Sequence, residues 1–226
     1  MQRKYYEAYD DRYRQIHGQD LQWFYDDPTP IVMETVREFG IRHNHSILEL
    51  GCGEGRDAWP LLKNGYSLLA TDISPAAIAY DQKKWPEFAD KFAVLDCVAG
   101  EMLDKFDFIY AVAVVHMLVE EDDRDRFYGF IRNHLNPGGI ALICTMGDGK
   151  TQRQTDIRRA FDLQTRTHEQ SGQEVQIAAT TCRMVSFETF RVELQRNGLA
   201  IIREGITAAP PDFPMLMYAV VKGGTV

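Results

Sequence analysis

Short apolar runs alternate with amphipathic segments through the middle of the chain, from about residue 46 to residue 145. Apolar runs that are bounded by turn residues are typical of buried strands. The run FDFIYAV at 106–112 is almost continuously apolar, as expected for a strand that is covered on both faces. Together the runs predict five strands, at residues 46–50, 67–71, 92–95, 106–112 and 140–145.

The segments between these runs carry signals of helix starts, either a capping residue, a proline or an acidic first turn. The starts are indicated at Asp27-Pro28, Ser74-Pro75, 120–123 and Ser186. Pro60 lies inside a helix predicted over 57–63, so this helix begins late or is kinked. Strands and helices in alternation predict a parallel sheet with helices on both faces, joined by right-handed crossovers.

An aromatic stripe marks the N-terminal segment over residues 3–25. Tyr5, Tyr9 and Tyr13 recur every four residues, so on a helix they share one face with Ile16. This face either packs on the body of the protein or covers a bound ligand as a lid. The pattern is compatible with both interpretations.

Residues 147–185 break the alternation. The stretch 151–169 predicts an amphipathic helix that carries Ile157, Phe161 and Leu163, and 175–185 predicts an extra strand or hairpin. Arginines recur in this stretch and in the N-terminal segment, where they either hold an anionic ligand or form a solvated face. They are Arg12, Arg14, Arg153, Arg158, Arg159 and Arg166.

The composition is that of one globular domain of 226 residues. A net charge of −8 argues against a general nucleic-acid-binding protein, which would carry a basic face. The longest apolar run, 109–115, is too short to span a membrane, and the first residues lack an apolar signal segment. We therefore expect a cytoplasmic protein without nucleic-acid or membrane partners, and the sequence does not indicate its oligomeric state.

The cysteines Cys52, Cys97, Cys144 and Cys182 lie far apart in the chain. They form no CxxC pair and no other spacing that is typical of a metal site. We expect reduced and mostly buried thiols, which agrees with a cytoplasmic setting, and no bound metal.

The stretch ILELGCGEGRD at 47–57 joins the first predicted strand to a helix through Gly51, Gly53 and Gly55. A glycine-rich turn of this kind lets the backbone approach a ligand closely and directs free N–H groups toward it. Ligands bind parallel sheets at the carboxyl ends of the strands. The stretch therefore predicts a cofactor site at this end of the sheet.

Two cofactor classes compete for this turn. The dinucleotide fingerprint GxGxxG would need its third glycine at position 56, which is Arg56, and the acid Glu49 would disfavour a pyrophosphate. A zwitterionic amino acid group, in contrast, needs both N–H donors and acidic acceptors. The pattern of Glu49 followed by GxGxG resembles motif I of the class I S-adenosylmethionine (SAM)-dependent methyltransferases, in which the turn holds the methionine part of SAM.

The resemblance continues in order along the chain, through Asp72 (motif II), Asp96-Cys97, the run that contains Ala111 (motif IV) and LNPGG before the fifth strand. A carboxylate at the end of the second strand is also suited to accept hydrogen bonds from a ribose diol. In the family, the acid after the third strand contacts adenine, and a backbone carbonyl near Ala111 contacts the SAM ammonium. The resemblance thus implies that SAM is bound by Glu49, Gly51, Cys52, Gly53, Asp72, Ile73, Asp96, Cys97 and Ala111.

His116 follows the fourth strand in AVVHML, where similar enzymes often carry a histidine. It would act either as a general base near the transferred methyl group or as a packing residue that bonds to the backbone. The sequence leaves both roles open.

The resemblance also implies the whole architecture. We expect a three-layer α/β fold with a doubly wound, mainly parallel seven-stranded sheet. An antiparallel C-terminal hairpin, from the apolar runs 199–206 and 217–222, would close this sheet, and the loop 208–214 would reach toward the site. The single domain would comprise an N-terminal helical cap (1–45), a SAM-binding core (46–146), a substrate-covering insertion (147–185) and a C-terminal helix with the hairpin (186–226).

The sequence therefore predicts a SAM-dependent methyltransferase that modifies a small-molecule acceptor at oxygen, nitrogen or sulfur. The Asn/Asp-Pro-Pro-Tyr motif of base and glutamine amino methylases is absent, as is the Pro-Cys nucleophile of cytosine C5 methylases. Two alternatives remain, an NAD(P)-dependent oxidoreductase on a similar sheet and a non-catalytic SAM-binding or scaffold protein.

Overall fold

The computed structural model of the protein describes residues 3–223. Within this range the helices α1 to α6 span Ala8–His17, Pro30–Glu38, Ala58–Lys63, Pro75–Lys84, Glu121–His134 and Phe187–Arg196. The strands β1 to β11 span Ser46–Leu50, Ser67–Asp72, Phe92–Val94, Phe106–Val112, Leu135–Met146, Arg153–Gln154, Leu163–Thr167, Glu174–Ala178, Arg183–Met184, Leu199–Ala209 and Phe213–Gly223. Short 3₁₀ turns occupy Tyr5–Glu7, Pro86–Lys91, Val115–Met117 and Ile157–Arg159. None of the helices in 3–223 combines the length and apolar character needed to cross a bilayer.

Seven strands form the central sheet in the order β10-β11-β5-β4-β1-β2-β3. The strands β1 to β5 are parallel to their neighbours among themselves, whereas β11 is antiparallel to both β5 and β10. The predicted mainly parallel, seven-stranded sheet with a C-terminal antiparallel hairpin is confirmed. The strand order reverses at β1, and the crevice beside such a reversal is where ligands bind in open α/β sheets.

Successive residues of the central strands point into two separate core layers. In β1, Ile47 packs with residues of α2, α3 and α4, whereas Leu48 and Leu50 pack with residues of α5 and α6. In β4, Phe108 packs in the same layer as Ile47, and Ile109 packs in the same layer as Leu48. Because helices cover both faces of the parallel strands, the ends of the strands are the places where a ligand can reach the sheet.

Most helix starts follow the predicted signals. The side chain of Ser74 accepts a hydrogen bond from the Ala77 N–H and caps α4, and Ser186 caps α6 in the same manner. Pro60 lies in the first turn of α3, where backbone N–H groups have no partner within the helix, so α3 begins late and is not kinked. The start predicted at Asp27-Pro28 is wrong, since α2 begins at Pro30.

The strand β5 is longer than the sequence predicted. It begins at Leu135, which pairs with Phe106, and Ile140 then pairs with Phe108. The residues NPGG between these pairs bulge out of the ladder, with φ of +83° at Gly138. The segment LNPGG, expected to precede the fifth strand, is therefore the irregular start of the strand.

The helix predicted over 151–169 is wrong. This segment forms β6, the 3₁₀ turn Ile157–Arg159 and β7, and β7 pairs with β8 as an antiparallel hairpin. The predicted extra strand within 175–185 is present as β8 and the short β9. Val175 and Ile177 of β8 pack against Ile16 of α1, and pairing with this anchored strand holds β7 extended against its local pattern.

Candidate active site

The carboxyl ends of β1, β2 and β4 meet around the glycine-rich turn at residues 51–55. Gly51, Gly53 and Gly55 all have positive φ, of +73°, +58° and +71°. A Cβ atom added at Gly51 would lie 2.4 Å from Val114 Cγ2, and one at Gly53 would lie 2.6 Å from the Tyr13 hydroxyl. Both the backbone conformation and the close neighbours therefore require glycine at these positions.

A cavity of about 920 Å³, counting its open mouth, lies directly over this turn. The strand ends, the glycine turn, the N-terminal segment and the residue Phe213 line it, and we call it the cradle cavity. The structure brings together here eight of the nine residues predicted to hold a cofactor. They are Glu49, Gly51, Cys52, Gly53, Asp72, Ile73, Asp96 and Cys97.

The ninth residue, Ala111, does not line the cradle cavity. Its side chain is buried in the core beside β5, and the cavity wall is formed by the next three residues, Val112, Ala113 and Val114. Ala113 has a φ of +57°, which is unfavourable for a residue with a Cβ atom, and its N–H donates to the Cys144 carbonyl at 3.0 Å. The apolar run does not mark this left-handed residue, and the carbonyl contact predicted near Ala111 stays a prediction.

Glu49 presents a buried carboxyl group at the end of β1. It is 2% exposed, and its Oε2 atom has no hydrogen-bond partner within residues 3–223. Burial raises its pKa well above the usual range, and the nearby Asp57 carboxylate adds to the effect. A buried carboxyl oxygen without a partner is unfavourable unless a ligand supplies a hydrogen-bond donor or a positive charge.

Asp72 is the last residue of β2, and Asp96 lies just after β3, the next strand along the sheet. Asp72 accepts hydrogen bonds from the backbone N–H groups of Gly53 (2.9 Å) and Ser74 (2.8 Å), and burial raises its pKa to about 6. Asp96 accepts a hydrogen bond from the Val98 N–H at 2.8 Å. Both carboxylates line the cradle cavity and retain further acceptor positions for a ligand.

Acidic groups dominate the surroundings of the cradle cavity. Behind its wall lies Asp81, whose pKa is raised to about 9 by burial and by the charges of neighbouring acids, first among them Asp72. This concentration of acids favours a cationic ligand and disfavours a pyrophosphate, although Arg56 also lines the cavity. The acids that line it are Glu49, Glu54, Asp57, Asp72 and Asp96.

Glu54 is a residue of the glycine turn that the sequence analysis did not single out. Its buried carboxylate accepts hydrogen bonds from His17 Nε2 (2.8 Å) and from the backbone N–H groups of Trp23 (2.8 Å) and Phe24 (2.7 Å). These bonds hold the end of α1 and the following segment over the turn. The only sequence signal for this contact is the acid inside the glycine turn, and the sequence analysis did not use it.

Two neighbouring residues connect the turn to other parts of the chain. Asp57 accepts a hydrogen bond from the Thr29 hydroxyl at 2.9 Å, next to the start of α2. Arg56 Nη1 donates to Asp212 Oδ2 at 3.2 Å, in the turn between β10 and β11. The loop predicted at 208–214 therefore reaches the site, where Phe213 lines the cradle cavity.

A second pocket, of about 1460 Å³ counting its mouth, adjoins the cradle cavity and shares four lining residues with it. The shared residues are Tyr9, Phe24, Met117 and Phe213. Because Arg12, Arg153 and Arg166 also line this second pocket, we call it the basic pocket. The other arginines considered in the sequence, Arg14, Arg158 and Arg159, instead pair with nearby aspartates.

His116 lies in the 3₁₀ turn after β4 and lines the basic pocket, not the cradle cavity. It is buried, and its Nδ1 atom has no hydrogen-bond partner within the described part of the chain. Burial lowers its pKa to about 3, and the positive charges of Arg124 and Arg12 act in the same direction. The imidazole is therefore neutral near neutral pH, and so low a pKa makes it a weaker proton acceptor than an ordinary histidine.

Residues 3–223 contain no group of three or more His, Cys, Asp and Glu side chains that is arranged to hold a metal ion. The four cysteines are all free thiols. Burial raises the pKa of both Cys52 and Cys97, the two that line the cradle cavity. Neither thiol is therefore poised to react as a thiolate.

A family model described as a methyltransferase domain matches residues 48–141, which run from β1 into β5 and include the glycine turn. This part of the chain is therefore a methyltransferase domain. Within this methyltransferase domain lie Glu49, the glycine turn and the ends of β2 and β4. The match therefore covers most of the strand ends that surround the cradle cavity.

Two curated proteins are similar to part of this chain. Hemagglutinin 1 of Eikenella corrodens is 33% identical over 106 residues, which are 45% of this chain and 34% of that protein. The probable SAM-dependent methyltransferase TehB of Haemophilus influenzae is 31% identical over 102 residues, 43% of this chain and 34% of that protein. The matches thus span about a third of the length of these relatives.

Solved structures support the fold over most of the chain. The glycopeptide N-methyltransferase MtfA, solved with SAM, superimposes with a TM-score of 0.63 at 22% sequence identity. The alignment covers 88% of this chain and 96% of MtfA. At this identity the likeness establishes the Rossmann-like methyltransferase fold.

Proposed function

We propose that this protein transfers the methyl group of SAM to a small-molecule acceptor. The observation that carries the proposal is the unpartnered Oε2 atom of Glu49, buried beside a turn whose glycines leave no space for side chains. SAM combines an ammonium group and a sulfonium with a carboxylate and a ribose diol. The acids around the cavity would accept hydrogen bonds from the ammonium group and the ribose hydroxyls, although the N–H groups of Gly51, Cys52 and Gly53 are already bonded within the protein.

Specific residues of the cradle cavity would hold each part of SAM. Glu49 would accept hydrogen bonds from the ammonium group, and the backbone of the turn at Gly51, Cys52 and Gly53 would surround the methionine part. Asp72 would bind the ribose hydroxyls, and Asp96 would bind the adenine amino group. Ile73 and Cys97 would pack on the ring, and the carbonyl contact that was expected at Ala111 would come from 112–114.

Bound SAM supplies a methyl group on a charged sulfur atom, so the chain itself needs mainly to align the acceptor and exclude water. Tyr9, Phe24, Met117 and Phe213 lie between the two cavities and would exclude water where the acceptor meets the cofactor. If the acceptor atom carries a proton, the neutral His116 would receive it from the oxygen, nitrogen or sulfur.

The N-terminal segment and the insertion would cover the site. Glu54 ties the end of α1 and the residues after it to the glycine turn, and α1 in turn packs against β8 of the insertion. These contacts support the lid interpretation of the aromatic stripe. The presence of a second pocket beside the cradle cavity supports a turnover enzyme over a SAM-binding scaffold, because a scaffold has no need of space for an acceptor.

The cellular setting is part of the proposal. The cysteines are free thiols in the structure, as expected for a protein of the reducing cytoplasm. We propose cytoplasmic localisation on this basis.

Calorimetric titration of the purified protein with SAM, S-adenosylhomocysteine (SAH) and NADH in parallel tests the cofactor. We expect micromolar binding of SAM and SAH and no binding of NADH. Asp72→Ala should weaken SAM binding at least about tenfold, because hydrogen bonds to a charged acceptor are lost. Asp90→Ala, which changes an exposed acid, is the control. Binding of NADH alone would restore the oxidoreductase alternative.

A further inference from the structure

The two adjoining cavities carry opposite charges. Acids surround the cradle cavity, whereas Arg12, Arg153 and Arg166 line the basic pocket. Within residues 3–223, no carboxylate lies within 4.0 Å of the charged atoms of these three arginines. The pocket therefore contains positive charge that the described protein does not neutralise by ion pairing.

Arg12 is the most firmly held of the three. Its Nη2 atom donates to the carbonyls of Ala178 (3.1 Å) and Ala179 (3.0 Å) and to the Thr180 hydroxyl (2.6 Å). Its guanidinium also lies over the ring of Trp23, 5.1 Å from the centroid, and its Nε atom is buried without a partner. All of its partners are neutral, so a bound anion would relieve the cost of burying this charge.

Two acids line the basic pocket as well. The carboxylate of Asp212 already has partners, since it accepts hydrogen bonds from Arg56 Nη1 and from the Tyr25 N–H. Glu169 is exposed and forms no ion pair within the described residues. The pocket thus contains three arginines and only one acid, Glu169, whose charge is not already paired. Its net charge is positive.

The three arginines line only the basic pocket, and Arg12 lies next to its boundary with the cradle cavity, over the ring of Tyr9 at 5.3 Å. The residues that border both cavities are aromatic or apolar, and Phe24 and Phe213 pack with their ring centroids 5.7 Å apart. None of the three arginines lines the cradle cavity. A ligand that spans the pocket would therefore place an apolar body at the boundary and a negative group at the arginines.

We propose that the methyl acceptor is a small organic acid whose oxyanion, a carboxylate or a phosphate ester, is bound by Arg12, Arg153 and Arg166. Its apolar body would pack on the aromatic boundary and point the nucleophilic atom at the cradle cavity. This inference rests on the proposed function. Transfer forms a bond from that atom to the methyl carbon, and the carbon–sulfur bond of SAM breaks with its electron pair left on the sulfur of SAH. Any proton on the acceptor atom passes to His116 or water.

Matched acids and amides test this proposal. Calorimetry on the SAH-loaded protein would compare 4-hydroxybenzoate with 4-hydroxybenzamide, indole-3-acetate with indole-3-acetamide, and phenyl phosphate with phenol. We expect each acid to bind at least about tenfold more tightly than its neutral counterpart, as charge-assisted hydrogen bonds to arginine predict. Added salt should weaken the binding of the acids alone.

Variants of the exposed arginines locate the effect. Arg166→Gln and Arg153→Gln should each weaken the binding of the acids about tenfold and leave SAH binding unchanged, which also shows that the variants are folded. Arg158→Gln is the matched control, because Arg158 is exposed in the same insertion but pairs with Asp156. It should change neither affinity.

Two results would overturn the inference and leave the cofactor assignment intact. One is equal binding of acids and neutral compounds, or binding of neither at millimolar concentration, by protein that binds SAH. The other is acid binding that the Arg166 and Arg153 variants retain in full. Failure of SAM and SAH to bind in the first titration would instead overturn the proposed function, and the assignment of the basic pocket as an acceptor site would fall with it.

Discussion

At the scale of single residues, the buried carboxyl group of Glu49 gives the clearest indication of the ligand of the cradle cavity. Its pKa is raised well above the usual range because it is buried, so the free protein holds a proton there over a wider range of pH. A cationic ligand favours the ionised form. Binding of SAM should therefore release protons, and the affinity for SAM should rise with pH.

The substitution Glu49→Gln tests this role because it keeps the shape of the side chain and removes its charge. We expect it to weaken SAM binding about tenfold or more and to abolish the proton release at this site. Calorimetry in buffers of different ionisation enthalpy measures both quantities. Glu87→Gln, at an exposed position, is the control. Unchanged proton release in the Glu49 variant would place the titrating group elsewhere.

His116 makes the stability of the protein depend on pH. Its pKa is about 3 in the fold, against 6.5 for an ordinary histidine, because it is buried. Below pH 6.5 the unfolded chain takes up a proton that the folded chain does not, so the free energy of unfolding falls as the pH drops from 6.5 toward 3. Between pH 6.5 and 5 this one residue contributes a loss of up to about 2 kcal/mol.

Urea unfolding of the wild type and of His116→Asn at pH 7.5 and pH 5 checks this expectation. The variant should lose about 2 kcal/mol less stability on acidification, whereas the exposed-site variant His43→Asn should behave as the wild type. In a methyl-transfer assay, a general-base role predicts a fall in kcat of about a hundredfold with SAM binding unchanged. An unchanged kcat would assign His116 to packing.

At the scale of elements, one side chain fastens α1 and the segment after it to the glycine turn. Glu54 accepts three hydrogen bonds from this segment, two of them from the backbone N–H groups of Trp23 and Phe24. Glu54→Gln should weaken these bonds and let the segment open more often. We expect amide exchange at residues 23 and 24 to become about tenfold faster and SAM to dissociate faster.

Hydrogen exchange followed by mass spectrometry measures this opening directly. Glu188→Gln, an exposed acid in the first turn of α6, is the matched control and should leave exchange at residues 23 and 24 unchanged. If exchange in the Glu54 variant equals that of the wild type, packing of the aromatic stripe alone holds the segment in place.

At the scale of the whole molecule, a buried ion pair connects the helical layer of α5 and α6 to the site. Arg124 donates to both carboxylate oxygens of Glu193, at 2.9 and 2.6 Å, and also to the carbonyls of Val115 (2.6 Å) and Leu118 (3.1 Å). These two carbonyls lie on either side of His116 in the chain. The pair therefore helps to position the turn that borders the basic pocket.

Removal of the charge of Glu193 should be far more costly than removal of an exposed charge. Glu193→Gln would leave Arg124 buried without a counter-ion, and we expect the free energy of unfolding to fall by about 3–5 kcal/mol. The exposed pair of Glu204 with Arg191 supplies the control, since Glu204→Gln should cost about 1 kcal/mol or less. Equal effects in urea denaturation would show that the buried pair is not a special determinant of stability.

Much of the core could be predicted from the sequence alone. The strands Ser46–Leu50 and Phe106–Val112 have the predicted bounds, and the helix Pro75–Lys84 begins at the start indicated by Ser74-Pro75. The glycine turn and the acids that follow β2 and β3 were also found, and they line one cavity. These features depend on neighbours in the chain, because run length, caps and backbone freedom are local properties.

The rest was decided by contacts between residues far apart in the chain. Extended β7 depends on pairing with β8, which α1 anchors, and Glu54 acquires its role from a segment some 30 residues earlier. The sequence alone does not distinguish the arginines from one another. In the structure, Arg12 and Arg166 line the basic pocket, whereas Arg158 pairs with a nearby aspartate. Local pattern determines which elements can form, whereas burial and the partners of each charge arise only when distant segments pack together.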